Sequence, residues 1–154
     1  LFMFNNKINI YVIKTKFGNF EINIINKYIT RFYPTVKKEN LLLNPTIRLI
    51  KKEINDYIDG RLSKFTFKST PFGTIFQLKV WIEIKKINYG QTISYLNIAK
   101  KLQTSPRAVG NACSKNTCLL FIPCHRVIKE DTTLGGFLMG KKNKKILLKL
   151  ERQD

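Results

Sequence analysis

Residues 94–110 read Ser94-Tyr95-Leu96-Asn97-Ile98-Ala99-Lys100-Lys101-Leu102-Gln103-Thr104-Ser105-Pro106-Arg107-Ala108-Val109-Gly110, and their punctuation decides the architecture around them. Ser94 can cap a helix over Tyr95 to Leu102, because a serine hydroxyl accepts from backbone N–H groups that a helix start leaves unpaired. Ile98, Ala99 and Leu102 recur at helical spacing and form its inward face. Gln103-Thr104 interrupts the pattern. Ser105 followed by Pro106 opens another helix, since proline at the first helical position gives up no hydrogen bond. The body of that helix, Arg107 to Ala112, is built of small residues. Two short helices joined by a tight turn, in a basic chain, read as a helix-turn-helix, although any small helical bundle has such corners.

Toward the N-terminus, Phe76, Val80, Trp81 and Ile84 mark an amphipathic helix from about Thr74 to Lys86, broken by Tyr89-Gly90. Lys64 to Pro71 reads as a connection. Before it, Ile47, Ile50, Ile54 and Ile58 recur at three and four residues after Pro45, and Gly60 ends the run. Lys7 to Ile13 and Phe20 to Ile24 alternate loosely as strands around a Phe17-Gly18-Asn19 turn, and Ile29 to Tyr33 continues as a third strand stopped by Pro34. A hairpin-rich sheet with one helix against it is an α+β unit. The expected organisation is therefore a supporting α+β domain over 1–68 and a mainly helical domain over 69–154. The first carries no Cys and no His, and its carboxylates fall on an exposed helix face, so no chemistry is expected there.

Toward the C-terminus lies Ile122-Pro123-Cys124-His125-Arg126-Val127, which sets the only histidine directly after a cysteine. A thiol attacks as thiolate, so a nucleophilic cysteine needs a base or a positive neighbour. His125 and Arg126 supply both candidates. The three cysteines (Cys113, Cys118, Cys124) cannot pair evenly, which argues against a disulfide framework and for a reducing compartment. With one histidine, no spacing makes a convincing zinc site. Cys113 and Cys118 read as small apolar fillers.

Lys+Arg 28 against Asp+Glu 10 gives a formal net charge of +18, a field that favours a polyanion, and nucleic acid is the usual one. Residues 1–68 carry 13 basic and 5 acidic side chains and residues 69–154 carry 15 and 5, so charge does not locate the binding face. No run approaches the ~18 apolar residues of a membrane helix, and Leu1-Phe2-Met3-Phe4 is too short for a signal peptide. An intracellular, soluble protein is expected.

Five separate places together resemble the O6-alkylguanine-DNA alkyltransferases, the methylated-DNA–protein-cysteine methyltransferase family. They are Gly90-Gln91-Thr92-Ile93-Ser94-Tyr95, Pro106-Arg107-Ala108-Val109-Gly110, Asn116 eight residues before Cys124, Gly135-Gly136, and Glu151 27 residues after Cys124. The hexapeptide around Cys124 is the sixth and most specific. The resemblance covers 69–154 densely and 1–68 only in general architecture. It implies an RNase H-like first domain and a winged helix-turn-helix second domain holding the active-site cysteine.

It also implies an activity: a suicide DNA repair enzyme that flips O6-alkylguanine out of the duplex and moves the alkyl group irreversibly to Cys124. In that picture His125 deprotonates Cys124 through a water, and Glu151 holds His125 in the useful tautomer. Tyr95 presses on the target phosphate, meets the guanine and protonates the leaving base. Asn116 ties the helix-turn-helix to the active-site segment. Tyr95, Arg107, Ala108, Gly110 and Ser94 would meet the minor groove with little sequence preference, Arg107 filling the gap left by the flipped base. Pro123, Val127, Phe137, Leu138 and Met139 would form the substrate pocket. Arg126 reads as a structural arginine under the motif. No cofactor and no metal are implied.

The chain departs from the family pattern in three ways. Phe137-Leu138-Met139-Gly140 stands where a tyrosine and small residues are usual, which predicts a tight pocket that takes methyl well and benzyl poorly. Thr117-Cys118-Leu119-Leu120 stands where prolines are common, which predicts a less rigid support. Residues 1–68 lack the Cys and His of the zinc site some relatives carry. Two other classes fit parts of the chain: a non-catalytic, alkyltransferase-like lesion binder, and a winged-helix regulator whose Cys124 senses oxidation.

Overall fold

A computed structural model of the chain describes residues 7–152; the reading of Leu1-Phe2-Met3-Phe4 lies outside them. Three antiparallel strands, β1 (Asn9–Thr15), β2 (Gly18–Ile25) and β3 (Tyr28–Pro34), form a sheet in the order β1-β2-β3. Thr15 pairs with Gly18, so the first turn is Lys16-Phe17, one residue earlier than expected. Phe20, Ile22 and Ile24 alternate inward along β2, and Phe20 stacks on Phe32 of β3 at 4.5 Å. Helix α1 (Pro45–Ile58) lays Ile47, Ile50, Ile54, Tyr57 and Ile58 into the core. Asn44 caps it, its side chain accepting from the Ile47 N–H at 2.9 Å.

Strand β3 would be a free edge, and two later segments cover it. Ile29 exchanges backbone bonds with Lys68 and Thr70 at the connection. Phe32 does the same with Thr117 and Leu119, the segment leading to Cys124, at 2.8 and 3.0 Å. The segment that lacks the family's prolines is thus paired with the sheet edge. One core cluster runs without interruption from Ile13 of β1 to Leu147 near the C-terminus.

Helix α2 (Ile75–Lys85) begins with a capping box between Thr74 and Gln77. Helix α3 (Tyr95–Leu102) is capped by Ser94, and helix α4 (Pro106–Ser114) by Ser105. Between them Gln103 takes a left-handed conformation (φ 52°) that closes the tight turn. The Trp81 indole N–H donates to the Ala112 carbonyl at 2.9 Å and pins α2 to the end of α4. Strand β4 (Ile93–Ser94) pairs in parallel with β5 (Val127–Ile128), which fixes the start of α3 beside the cysteine motif. Helix α5 (Gly140–Arg152) closes the chain. Its buried residues Lys144, Leu147, Leu148 and Glu151 share one face at intervals of three and four. The α+β organisation expected from the sequence is what the chain adopts.

Candidate active site

Cys124, His125 and Arg126 form a single buried 3₁₀ turn just before β5. Asn116, itself 1% exposed, reaches this turn from the end of α4. Its Nδ2 donates to the Ile122 carbonyl (2.9 Å) and to Cys124 Sγ (3.2 Å), while its Oδ1 accepts from the Cys118 N–H (2.9 Å). One side chain therefore ties the end of α4, the following segment and the thiol together.

Behind the thiol, His125 Nε2 lies 2.5 Å from Glu151 Oε1. Arg126 grips the same carboxylate with Nε on Oε2 (2.8 Å) and Nη2 on Oε1 (3.1 Å), and its Nη1 donates to the Ile87 carbonyl (2.7 Å). The Gly90 N–H adds a bond to Oε2 at 3.1 Å. Gly90 stands at φ +80°, and a Cβ there would come within 3.0 Å of the Glu151 carbonyl oxygen, so this approach requires glycine. Tyr57 of α1 completes the cluster, its hydroxyl donating to Glu151 Oε1.

Burial raises the Glu151 carboxyl's proton affinity, but the donors on it win and hold it at about 2. It is a fixed negative charge. Burial lowers the proton affinity of His125, opposed by Glu151, so the imidazole rests neutral. A neutral ring that donates from Nε2 to Glu151 leaves Nδ1 as an acceptor. Nδ1 is buried and has no protein partner among the described residues. The Cys124 thiol is pushed well up, first by a hydrogen bond with Cys113 and then by burial, against the donation from Asn116. At rest it is a thiol, so an attack needs a base.

Lys144, wholly buried, extends from α5 so that Nζ donates to the Val127 carbonyl (2.6 Å) and the Gly136 carbonyl (3.2 Å). Burial pulls it down to about 8, and both Cys113 and Cys124 interact with its charge. The same ammonium lies 5.7 Å from the Tyr95 ring centroid. Gly135, at φ +67°, packs against that ring so closely that a Cβ would come within 3.1 Å of Cε2. Burial, the larger cause, and the two nearby thiols keep the Tyr95 phenol above its usual range, hence protonated.

A cavity of about 670 Å³ opens over the thiol, lined by Tyr95, Arg107, Gly110, Cys113, Cys124, Phe137 and Leu138 among others. The structure thus brings Cys124, His125, Glu151, Tyr95 and Asn116 together and sets Arg107 and Gly110 at the mouth. Other expected residues stand apart. The Ser94 hydroxyl caps α3 through the Asn97 N–H (3.1 Å), and the half-buried Ala108 gives its N–H to Ser105 Oγ (3.1 Å). Pro123 lines a second cavity, of about 340 Å³, with Tyr57 and Arg126. Val127 is buried and contributes its carbonyl to Lys144. Met139 packs on the core rather than on the cavity wall. Leu138, 43% exposed, lines the cavity, with Phe137 edge-on to His125 at 6.1 Å.

Tyr57, Lys144 and the thiol contact of Cys113 escaped the sequence reading, and residues 1–68 do supply a site residue. Among the described residues, no group of three or more His, Cys, Asp or Glu is placed to hold a metal ion, and no helix is long and apolar enough to cross a membrane.

These features define a class of protein: a paired-helix unit carrying a buried cysteine, backed by a histidine and a carboxylate, under an open cavity. Residues 75–153 match the family described as 6-O-methylguanine DNA methyltransferase, DNA binding domain. A methylated-DNA–protein-cysteine methyltransferase of Sulfolobus acidocaldarius is 42% identical over 114 residues, 74% of this chain and 73% of that one. The inducible protein of the same name from Bacillus subtilis is 36% identical over 152 residues, 94% and 85% of the two chains. Mycobacterium tuberculosis OGT, solved in complex with DNA, superposes with a TM-score of 0.80 at 29% identity, covering 92% of this chain and 91% of that one. The chain belongs to the methylated-DNA–protein-cysteine methyltransferase family.

Proposed function

We propose that this protein repairs DNA by taking the alkyl group from O6 of guanine onto Cys124, once per molecule. The observation that carries the reading is the buried Cys124–His125–Glu151 arrangement under a cavity bordered by Tyr95 and Arg107. His125 Nδ1 accepts the thiol proton through a water, and the Glu151 charge stabilises the imidazolium that results. The thiolate attacks the alkyl carbon, an S–C bond forms, and the C–O6 bond breaks. The electron pair leaves on guanine, which takes a proton from Tyr95. Asn116 and the Lys144 ammonium favour the thiolate, the first by donating to Sγ, the second by its charge. The thioether has no leaving chemistry, so the protein is consumed.

Reaction at a buried thiol requires the nucleotide to leave the stack. The α3–α4 pair would dock in the minor groove of double-stranded DNA, with Arg107 in the gap and little sequence preference. Residues 69–154 carry the DNA contacts and the acceptor, and residues 1–68 support them as a first domain. The expected setting is the cytoplasm, as a monomer with DNA. Titration with a duplex containing O6-methylguanine tests the stoichiometry. Restoration of guanine should stop at one per protein molecule; continued turnover would contradict the reading.

A further inference from the structure

Residues 1–68 were expected to hold no chemistry, yet one of their side chains ends inside the active site. We propose that Tyr57 is a positioning residue for alkyl transfer, its hydroxyl on Glu151 setting the orientation and the proton affinity of the Glu151–His125 pair. The proposal rests on the reading of Cys124 as alkyl acceptor.

The Tyr57 side chain is buried, 1% exposed, and packed rings fix its direction. Phe65 lies 4.7 Å from its centroid and Tyr89 lies 6.0 Å away, nearly perpendicular. The ring has one orientation, and the hydroxyl points at Glu151. It donates to Oε1, the oxygen that also receives His125 Nε2. Tyr57 Oη accepts from Arg126 Nη2 at 3.3 Å and lies 3.2 Å from His125 Nε2. Burial, then the Glu151 charge, push the phenol well up, so it remains a donor.

Glu151 receives Tyr57 Oη, His125 Nε2, two nitrogens of Arg126 and the Gly90 N–H. A carboxylate offers about four lone-pair sites, so this one is saturated and cannot turn. Each donor also draws on the same negative charge. Without the Tyr57 hydroxyl, Oε1 loses the donor it shares with His125, so the charge left to Nε2 is larger and one of the contacts that fix Oε1 opposite Nε2 is gone. The charged and titratable groups facing His125 are Glu151 and Lys144 from α5, Arg126 beside it and Tyr57 from α1. Of these, only Tyr57 comes from the first 68 residues. The N-terminal unit therefore completes the active site as well as buttressing it.

The test is Tyr57→Phe in the full chain, which keeps the ring and removes the hydroxyl. Single-turnover methyl transfer from an O6-methylguanine duplex is measured against pH, with duplex affinity measured separately. The expected result is unchanged affinity, a transfer rate constant lower by about tenfold, the kinetic equivalent of a hydrogen bond to a charged group, and an acid limb moved to higher pH. His125 is the only histidine, so its ring signal in NMR titrates alone and should move to higher pH in the same variant. In a Glu151→Gln background, Tyr57→Phe should add little, because the two act through one network. An active wild type beside a Tyr57→Phe chain with the same rate, pH profile and His125 titration overturns the inference. A wild type that leaves the methylated duplex unchanged overturns the proposed function instead, and with it any part of Tyr57 in catalysis.

Discussion

His125 presents its two ring nitrogens to different worlds: Nε2 lies 2.5 Å from Glu151 Oε1, whereas Nδ1 is buried without a protein partner. The carboxylate decides which nitrogen keeps the proton, and so which is left as an acceptor. Glu151→Gln keeps the shape and removes the charge that stabilises the imidazolium. Methyl transfer by this variant should fall by about a hundredfold, within the range of general-base contributions. Single-turnover kinetics with a methylated duplex, at unchanged DNA affinity, would check it.

The same carboxylate links folding to acid. Its folded value of about 2 lies below the ordinary 4.5, so its contribution to stability is complete above pH about 4.5 and is lost as pH falls toward 2. The size is about 3 kcal/mol. Thermal melts of wild type and Glu151→Gln should differ at neutral pH and converge as the pH is lowered into that window.

Asn116 donates to Cys124 Sγ at 3.2 Å. Asn116→Ala removes this bond and releases the Ile122 and Cys118 backbone groups that Asn116 pairs. A loss of about 1.5 kcal/mol per buried hydrogen bond to a charged group predicts alkylation of Cys124 slower by about tenfold. Duplex binding should change little.

Leu138 lines the cavity, and Met139 does not. Of the two residues expected to tighten the pocket, Leu138 is the one whose substitution should matter. Leu138→Gly should speed reaction with O6-benzylguanine, whereas Met139→Gly should leave it slow and lower stability by loss of core packing. Competition between the free base and a methylated duplex for Cys124 distinguishes the two variants.

Arg107 stands exposed at the cavity mouth, on the first turn of α4. If it enters the duplex, Arg107→Ala should slow transfer more than it weakens binding to undamaged DNA. If it only meets phosphate, binding should weaken uniformly and the salt slope should fall by about 0.9. Affinities at several salt concentrations beside transfer rates decide the matter.

Much of this arrangement was legible in the residues, because local chemistry dictates it. Ser94 and Ser105 cap the helices their positions predict, and the isoleucines of α1 turn inward at the intervals read from the sequence. The Cys124-His125 pair advertises itself by adjacency. Tyr57 does not: three residues after Ile54, it reads as one more core position, and its partners lie 68 and 94 residues away. Lys144 was hidden among Lys141, Lys142 and Lys145, all of which look solvated. Only the spacing of Lys144, Leu147, Leu148 and Glu151 marks it as inward, and that face would have revealed α5. Met139 packs against the core while its neighbour Leu138 lines the cavity, because adjacency says nothing about which way a loop side chain turns.

The central claim is that Cys124 receives the alkyl group. Intact mass and peptide mapping, after incubation with an O6-methylguanine duplex, test it most directly, with Cys124→Ala alongside. The account predicts one added methyl group, located on Cys124, with an equal amount of guanine restored and no change in the variant. Tight binding of the methylated duplex with no gain in mass would contradict it and make the protein a non-catalytic lesion binder.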